Sequence, residues 1–185
     1  MRRYFIGLFI ALGLIILLII LLLSGGKKPV TSGKRLVDYA DTDAQVSMLI
    51  DGPVNAVSLH RQISITVDST NVTYEALQGY DGDATDTQIF ANTQSSYDAF
   101  LHALQHAGFS KGDNSPALKD ERGYCPLGNR YIFELTQDGN TLQRYWTTSC
   151  GGNTPMSYLG SRNLTLTLFQ AQVPGYSKLS QSVKF

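Results

Sequence analysis

The hydrophobic pattern of this 185-residue chain changes period from one segment to the next, and each period predicts an element. From Tyr4 to Leu23, YFIGLFIALGLIILLIILLL contains no charged residue and no proline. As a helix, such a run covers roughly 30 Å, the thickness of bilayer hydrocarbon. Residues 4–23 are expected to be a transmembrane helix, with residues 1–3 as a cytoplasmic tail. The run is longer than the roughly 7–15 residue apolar core of a cleaved signal peptide. No cysteine follows it to accept a lipid. Residues 24–35, SGGKKPVTSGKR, then read as a flexible linker; about ten residues of that composition span roughly 15–20 Å.

Beyond the linker the period shortens to two. QVSMLI at 45–50, RQISITV at 61–67 and NVTYEAL at 71–77 are alternating or β-branched, with DGP and DST between them as turn punctuation. They predict antiparallel neighbours. The period then lengthens: Tyr97, Phe100, Leu101, Leu104 and Ala107 recur at helical spacing, Ser95 with Asp98 suggests a capping box, and Gly108 suits a C-terminal cap. Later, Asp138-Gly139 is the preferred chemistry of a tight hairpin turn, and NLTLTLFQAQV, with Leu164, Leu166 and Leu168 alternating, predicts a late strand. Residues 36–185 are thus expected to be one α+β domain, a mainly antiparallel sheet with one amphipathic helix packed on it.

The predicted hairpin gives the two cysteines a place. With Asp138-Gly139 as its turn, Cys125 and Cys150 fall within one or two positions of facing each other at the open base, within the 5–6 Å Cα separation of a disulfide. The same register puts Tyr131, Phe133, Leu135, Leu142 and Trp146 on one face, taken as the core, and Ile132, Glu134, Gln143 and Tyr145 on the other. Closing about 26 residues stabilises by roughly 3–4 kcal/mol in the loop-entropy model. A redox pair favours Cys-x-x-Cys, a catalytic thiol needs a neighbouring base, and two cysteines do not fill a zinc site. A structural disulfide is the expectation, and it favours an oxidising, extracytoplasmic location for the domain. The resulting localisation is a single-pass cell-membrane protein, N-terminus cytoplasmic.

Charge narrows the partners. Of 15 Lys plus Arg, Arg2 and Arg3 precede the apolar run, which leaves 13 against 15 Asp plus Glu. No basic surface for nucleic acid is implied. The acids are unevenly spread: between Arg61 and Lys111 stand Asp68, Glu75, Asp81, Asp83, Asp86 and Asp98 with no Lys or Arg. Asp81, Asp83 and Asp86 are hard oxygens close enough in sequence to be candidate calcium ligands, without the glycine and glutamate of an EF-hand loop, so an acidic turn is the plainer expectation. His102 and His106 have the i, i+4 spacing of zinc ligands but project from the polar side of the predicted helix. His60 reads as a loop residue. No nucleophile elbow or other complete catalytic set is present. The sequons at Asn71 and Asn163 matter only in a glycosylating host.

Residues 124–150, with YCPLGNRYIFEL followed by RYWTTSC, resemble the reactive segment of subtilisin-inhibitor-like proteins. That resemblance implies that Leu127 enters a protease's specificity pocket, and marks Pro126, Leu127, Gly128 and Asn129 as a contact loop. A broader resemblance rests on the anchor, DGPVNA, HRQISITV, GYDGD, AFLHALQHAGF, RGYCPLGNRYIFEL, RYWTTSC and LFQAQVPGY. Together these resemble a set of uncharacterised single-pass membrane proteins from ultrasmall bacteria of the candidate phyla radiation, which implies localisation and architecture and no activity. The expected function is therefore a noncatalytic, membrane-tethered module that binds a protein or envelope component; Tyr80, Tyr124 and Tyr158, near predicted loops, are candidate contacts, with core packing the plainer expectation for each. The alternatives are a protease inhibitor and a cell-surface hydrolase built from noncontiguous acids and a histidine.

Overall fold

The computed structural model describes residues 34–152 and 154–185. The expected transmembrane helix, tail and most of the linker lie outside the described residues, within which no helix is long and apolar enough to cross a membrane. The architecture is α+β. Six strands, β1 (Gln45–Asp51), β2 (Arg61–Val67), β3 (Asn71–Gln78), β4 (Asp83–Ala91), β5 (Arg130–Gln137) and β6 (Asn140–Thr148), form one antiparallel sheet in the order β4-β3-β2-β1-β5-β6. Helices α1 (Gln94–Ala107), α2 (Arg162–Ala171) and α3 (Tyr176–Ser180) complete the fold, with short 3-10 turns at Leu36–Tyr39 and Pro116–Leu118.

Period-two patterning fills the core. Val46, Met48 and Ile50 of β1 pair with Val67, Ile65 and Ile63 of β2, and these with Val72, Tyr74 and Ala76 of β3. All nine side chains are buried. Leu135 and Phe133 of β5 extend the same face, and Tyr97, Phe100, Leu101 and Leu104 of α1 belong to the same core. Tyr97 donates its hydroxyl to the Ala44 carbonyl at 2.8 Å. Burial pushes the Tyr74 hydroxyl up to about 12.

Several expectations need correction. The N-cap of α1 is Thr93, whose side chain accepts from the Ser96 amide, and not Ser95; the Asp98 carboxylate instead lies 3.8 Å from His102. The C-cap is Gly108, left-handed at φ 82°, as the glycine suggests. The predicted late strand is helix α2, so the sheet carries further helices besides α1. Thr165 and Phe169, one turn apart, are fully buried, and the Phe169 ring lies 5.2 Å from Phe100 and 6.4 Å from Phe133. Burying that face outweighs the strand-like alternation of three leucines, one of which, Leu164, is exposed.

Strand β4 was not expected, because Asp83–Ala91 at the sheet edge is mostly exposed and has no apolar alternation. In the β5–β6 hairpin the Asp138-Gly139 turn forms with both residues at positive φ, 52° and 73°. Leu142 is an extra residue in β6, so Tyr145 faces Phe133, while Trp146 faces Ile132 on the opposite side of the sheet. The predicted faces of β5 are right and those of β6 are exchanged, since one inserted residue flips every later side chain. Trp146 is buried on that second face by the segment before β5: its indole N–H donates to the Leu118 carbonyl and Tyr124 stacks on it at 5.0 Å.

Candidate functional site

The chain folds two cysteines, a tight turn and three strand ends into one end of the sheet. Cys125 and Cys150 form a disulfide with a Cα separation of 5.7 Å. The bridge closes a turn in which the Gly128 amide donates to the Cys125 carbonyl at 3.1 Å. The Asn129 amide donates to Ser149 Oγ at 2.9 Å, and the Ser149 amide returns a bond to the Asn129 carbonyl at 2.8 Å. A side chain at Gly128 would meet Ser149 Oγ at 2.5 Å and Cys125 Sγ at 2.7 Å, so only glycine fits there. Pro126 and Leu127 point into solvent, and Leu127 is 88% exposed.

The β1–β2 connection lies against this turn. The Val54 amide donates to the Pro126 carbonyl at 2.8 Å. The Tyr80 hydroxyl accepts from the Asn55 amide at 3.0 Å and donates to the Asn55 carbonyl at 2.8 Å, while Gln78 and Arg61 side chains donate to the Ser58 carbonyl at 3.1 and 2.8 Å. Held this way, Val57 and Leu59 are each 61% exposed beside Val54 and Tyr80, which are exposed too. Exposed aliphatic residues are common singly; here several lie on one laced surface. The other two candidate tyrosines take the packing role that is the plainer expectation: Tyr158 is in the core, with its hydroxyl 2.7 Å from Thr165 Oγ1, and Tyr124 covers Trp146.

Beneath the patch is a buried polar network that sequence reading missed. Asp51 at the end of β1 is the cross-strand partner of both Gln62 in β2 and Arg130 in β5. Its Oδ1 accepts from Gln62 Nε2 at 3.0 Å and lies 2.8 Å from His60 Nε2, and its Oδ2 lies 2.7 Å from Arg130 Nη2. Arg130 also donates to the Gly52 carbonyl at 2.9 Å. His60, expected as a loop residue, is fully buried and stacks on Tyr80 at 4.0 Å. Its Nδ1 lies 3.1 Å from the Pro53 carbonyl, so both ring nitrogens face oxygen acceptors and the ring makes both bonds only when it carries both N–H protons. Arg130 Nε is buried without a partner among the described residues. Buried charges persist in a fold when they are paired, as Asp51 and Arg130 are through Oδ2 and Nη2. A signal was present: Asp51 and His60 flank the predicted β1–β2 turn, and Arg130 opens the predicted hairpin strand.

The other candidate residues do not converge. Asp81 is in the β3–β4 turn, Asp83 starts β4 opposite Gln78, and Asp86 pairs with Ala76 on the helix-covered side of the sheet, where Gln88 donates to it at 2.9 Å. Glu75 is on the other face, opposite Ser64 and Thr87. His102 and His106 are exposed on α1. Among the described residues, no group of three or more His, Cys, Asp or Glu side chains could hold a metal ion. A cavity of about 1110 Å³ opens beside β6, lined by Pro116, Leu118, Glu121, Leu142 and Arg144. Arg144 is engaged between Glu121 at 2.7 Å and Glu134 at 2.9 Å. In comparisons with known proteins, no protein-family model matches this chain and no curated protein matches it significantly.

Proposed function

We propose that this chain is a noncatalytic, membrane-tethered, extracytoplasmic interaction module whose binding surface is the apolar patch of Val54, Val57, Leu59, Tyr80 and Leu127. The observation that carries the reading is Leu127, 88% exposed at the tip of a turn closed by a disulfide and bonded through Pro126 to the β1–β2 connection. A large apolar side chain held rigidly in water loses little conformational entropy on binding, so its burial is available as affinity. The patch lies at the C-terminal end of β1, opposite the end at which the chain enters the sheet. The Asp51–His60–Arg130 network and the disulfide make the platform stiff.

The test uses the full chain in detergent, against extracts of the cell envelope and of neighbouring cells. A specific partner is expected to be retained by the natural sequence and lost by Leu127→Asp combined with Val57→Asp at unchanged melting temperature. Equal capture by the variant overturns the reading. Inhibition of a subtilisin panel that is abolished by Leu127→Asp alone would shift it to a protease inhibitor. Thiol labelling in native membranes without reductant is expected to find no free cysteine, and strong labelling of Cys125 or Cys150 overturns the extracytoplasmic placement.

A further inference from the structure

We propose that strand β4 is a second binding surface, which accepts as an added antiparallel strand an extended peptide that alternates basic and apolar residues. This surface is separate from the apolar patch and does not depend on it.

The direction of the backbone groups follows from bonds at the strand ends. The Asp68 amide donates to the Asn71 carbonyl at 3.0 Å, the Gly79 amide to the His60 carbonyl at 3.1 Å, and the Asn92 amide to the Thr70 carbonyl at 2.7 Å. Hydrogen-bonded pairs alternate along an antiparallel ladder. Val72, Tyr74 and Ala76 therefore direct their N–H and C=O groups toward β4, and their partners Phe90, Gln88 and Asp86 direct theirs back. Thr87, Ile89 and Ala91, between those partners, direct theirs outward. Since β3 is the only strand among the described residues that pairs with β4, these three residues present a donor and an acceptor each without a partner among the described residues. The bulge at Thr85 ends the open register on one side.

The side chains state what fits. On the face away from the helices, Thr87 and Ile89 are exposed, Ile89 by 65%. On the other face, Asp86 and Gln88 flank the same edge. An added strand would thus set apolar residues against Ile89 and Thr87 and, in alternate positions, Lys or Arg against Asp86 and Gln88. Charge selects this occupant over a second copy of the chain. The segment from Arg61 to Lys111 has acidic residues and no Lys or Arg between its ends, so pairing β4 with itself brings like charges to a shared edge. A basic strand is attracted to it.

The probe is a labelled, end-capped heptapeptide alternating Lys and Val, added to the full chain in detergent and followed by fluorescence anisotropy and amide exchange. Expected is saturable binding that protects the Thr87–Ala91 amides and weakens at least tenfold in Ile89→Pro, which removes one outward N–H and no ladder bond. Asp86→Lys, which leaves the backbone intact, is expected to weaken it at least tenfold as well and covers the case in which the proline variant does not fold. A peptide with proline at its central valine, or with Glu for Lys, is expected not to bind. The proposal is overturned by absence of binding, by equal binding to both variants, by protection elsewhere, or by peptide-free self-association that protects the same amides.

Discussion

The two edges of the sheet are treated differently, and side-chain chemistry explains why. At the β6 edge, the Ser157 and Tyr158 amides donate to the Trp146 carbonyl at 3.1 and 2.9 Å, Ser157 Oγ accepts from the Trp146 amide at 2.8 Å, and Gln143 reaches the Phe109 carbonyl. That edge strand carries the one tryptophan of the chain, whose ring is fully buried under the segment from Leu118 to Tyr124 on the second face of the sheet. At the β4 edge there is no comparable apolar side chain to cover, and acids replace it. An edge is covered where burial offsets the entropy of ordering a loop over it, and charged where it is not.

The largest test of this contrast is at the covered edge. Trp146→Ala is expected to destabilise the domain by about 3–5 kcal/mol, because the Tyr124 stack and the Leu118 bond lose their partner along with the buried area. Chemical denaturation measures it, and a loss under about 1 kcal/mol would mean that the Leu118–Tyr124 segment covers that strand for another reason. Next in size is the bridge near the same edge: Cys125→Ser with Cys150→Ser is expected to lose about 2–4 kcal/mol, read as a shift in the denaturation midpoint.

A matched proline pair sharpens the comparison at the open edge. Gln88→Pro deletes a ladder bond to β3 and is expected to cost about 3 kcal/mol or more, while Ile89→Pro, whose amide points outward, should cost under about 1 kcal/mol. Equal losses would show that β4 is not free on its outer side. The smallest effect is expected at the β2–β3 turn that leads to this edge. Burial raises Asp68, but hydrogen bonds from the Thr70 side chain and from the Thr70 and Asn71 amides outweigh it and hold the carboxyl below its ordinary range. A lowered folded value contributes stability that is present above the unfolded value near pH 4 and is lost as the pH falls through the folded one. Asp68→Asn is expected to remove that contribution, lowering stability slightly at pH 7 and leaving it nearly unchanged at low pH, so that the acid side of the profile flattens.

Much of the fold was legible because it is local. Ile63, Ile65 and Val67 announce a strand by alternation, and Tyr97, Phe100, Leu101 and Leu104 announce a helix, since those periods are properties of the backbone. The disulfide was legible because one turn, Asp138-Gly139, sets the register that brings the cysteines together. The exposed Leu127 was legible as part of a loop held by that bridge. The network of Asp51, His60, Gln62 and Arg130 was not, because its members come from three strands and the β1–β2 connection, and its geometry depends on β1 lying between β2 and β5.

What the sequence determined by itself is therefore the set of elements with a strong internal period, the tight turn and the pairing of the cysteines. Tertiary structure decided the remainder. It turned the alternating leucines at 164–168 into a helix, because Thr165 and Phe169 are buried while Thr167 between them is exposed, which is helical and not strand spacing. It made a strand of the polar Asp83–Ala91 segment, because β3 had ladder groups to satisfy. It moved Trp146 to the second face through one bulged residue, and it enclosed His60, because a carboxylate, a guanidinium and a carbonyl were brought around it by distant parts of the chain.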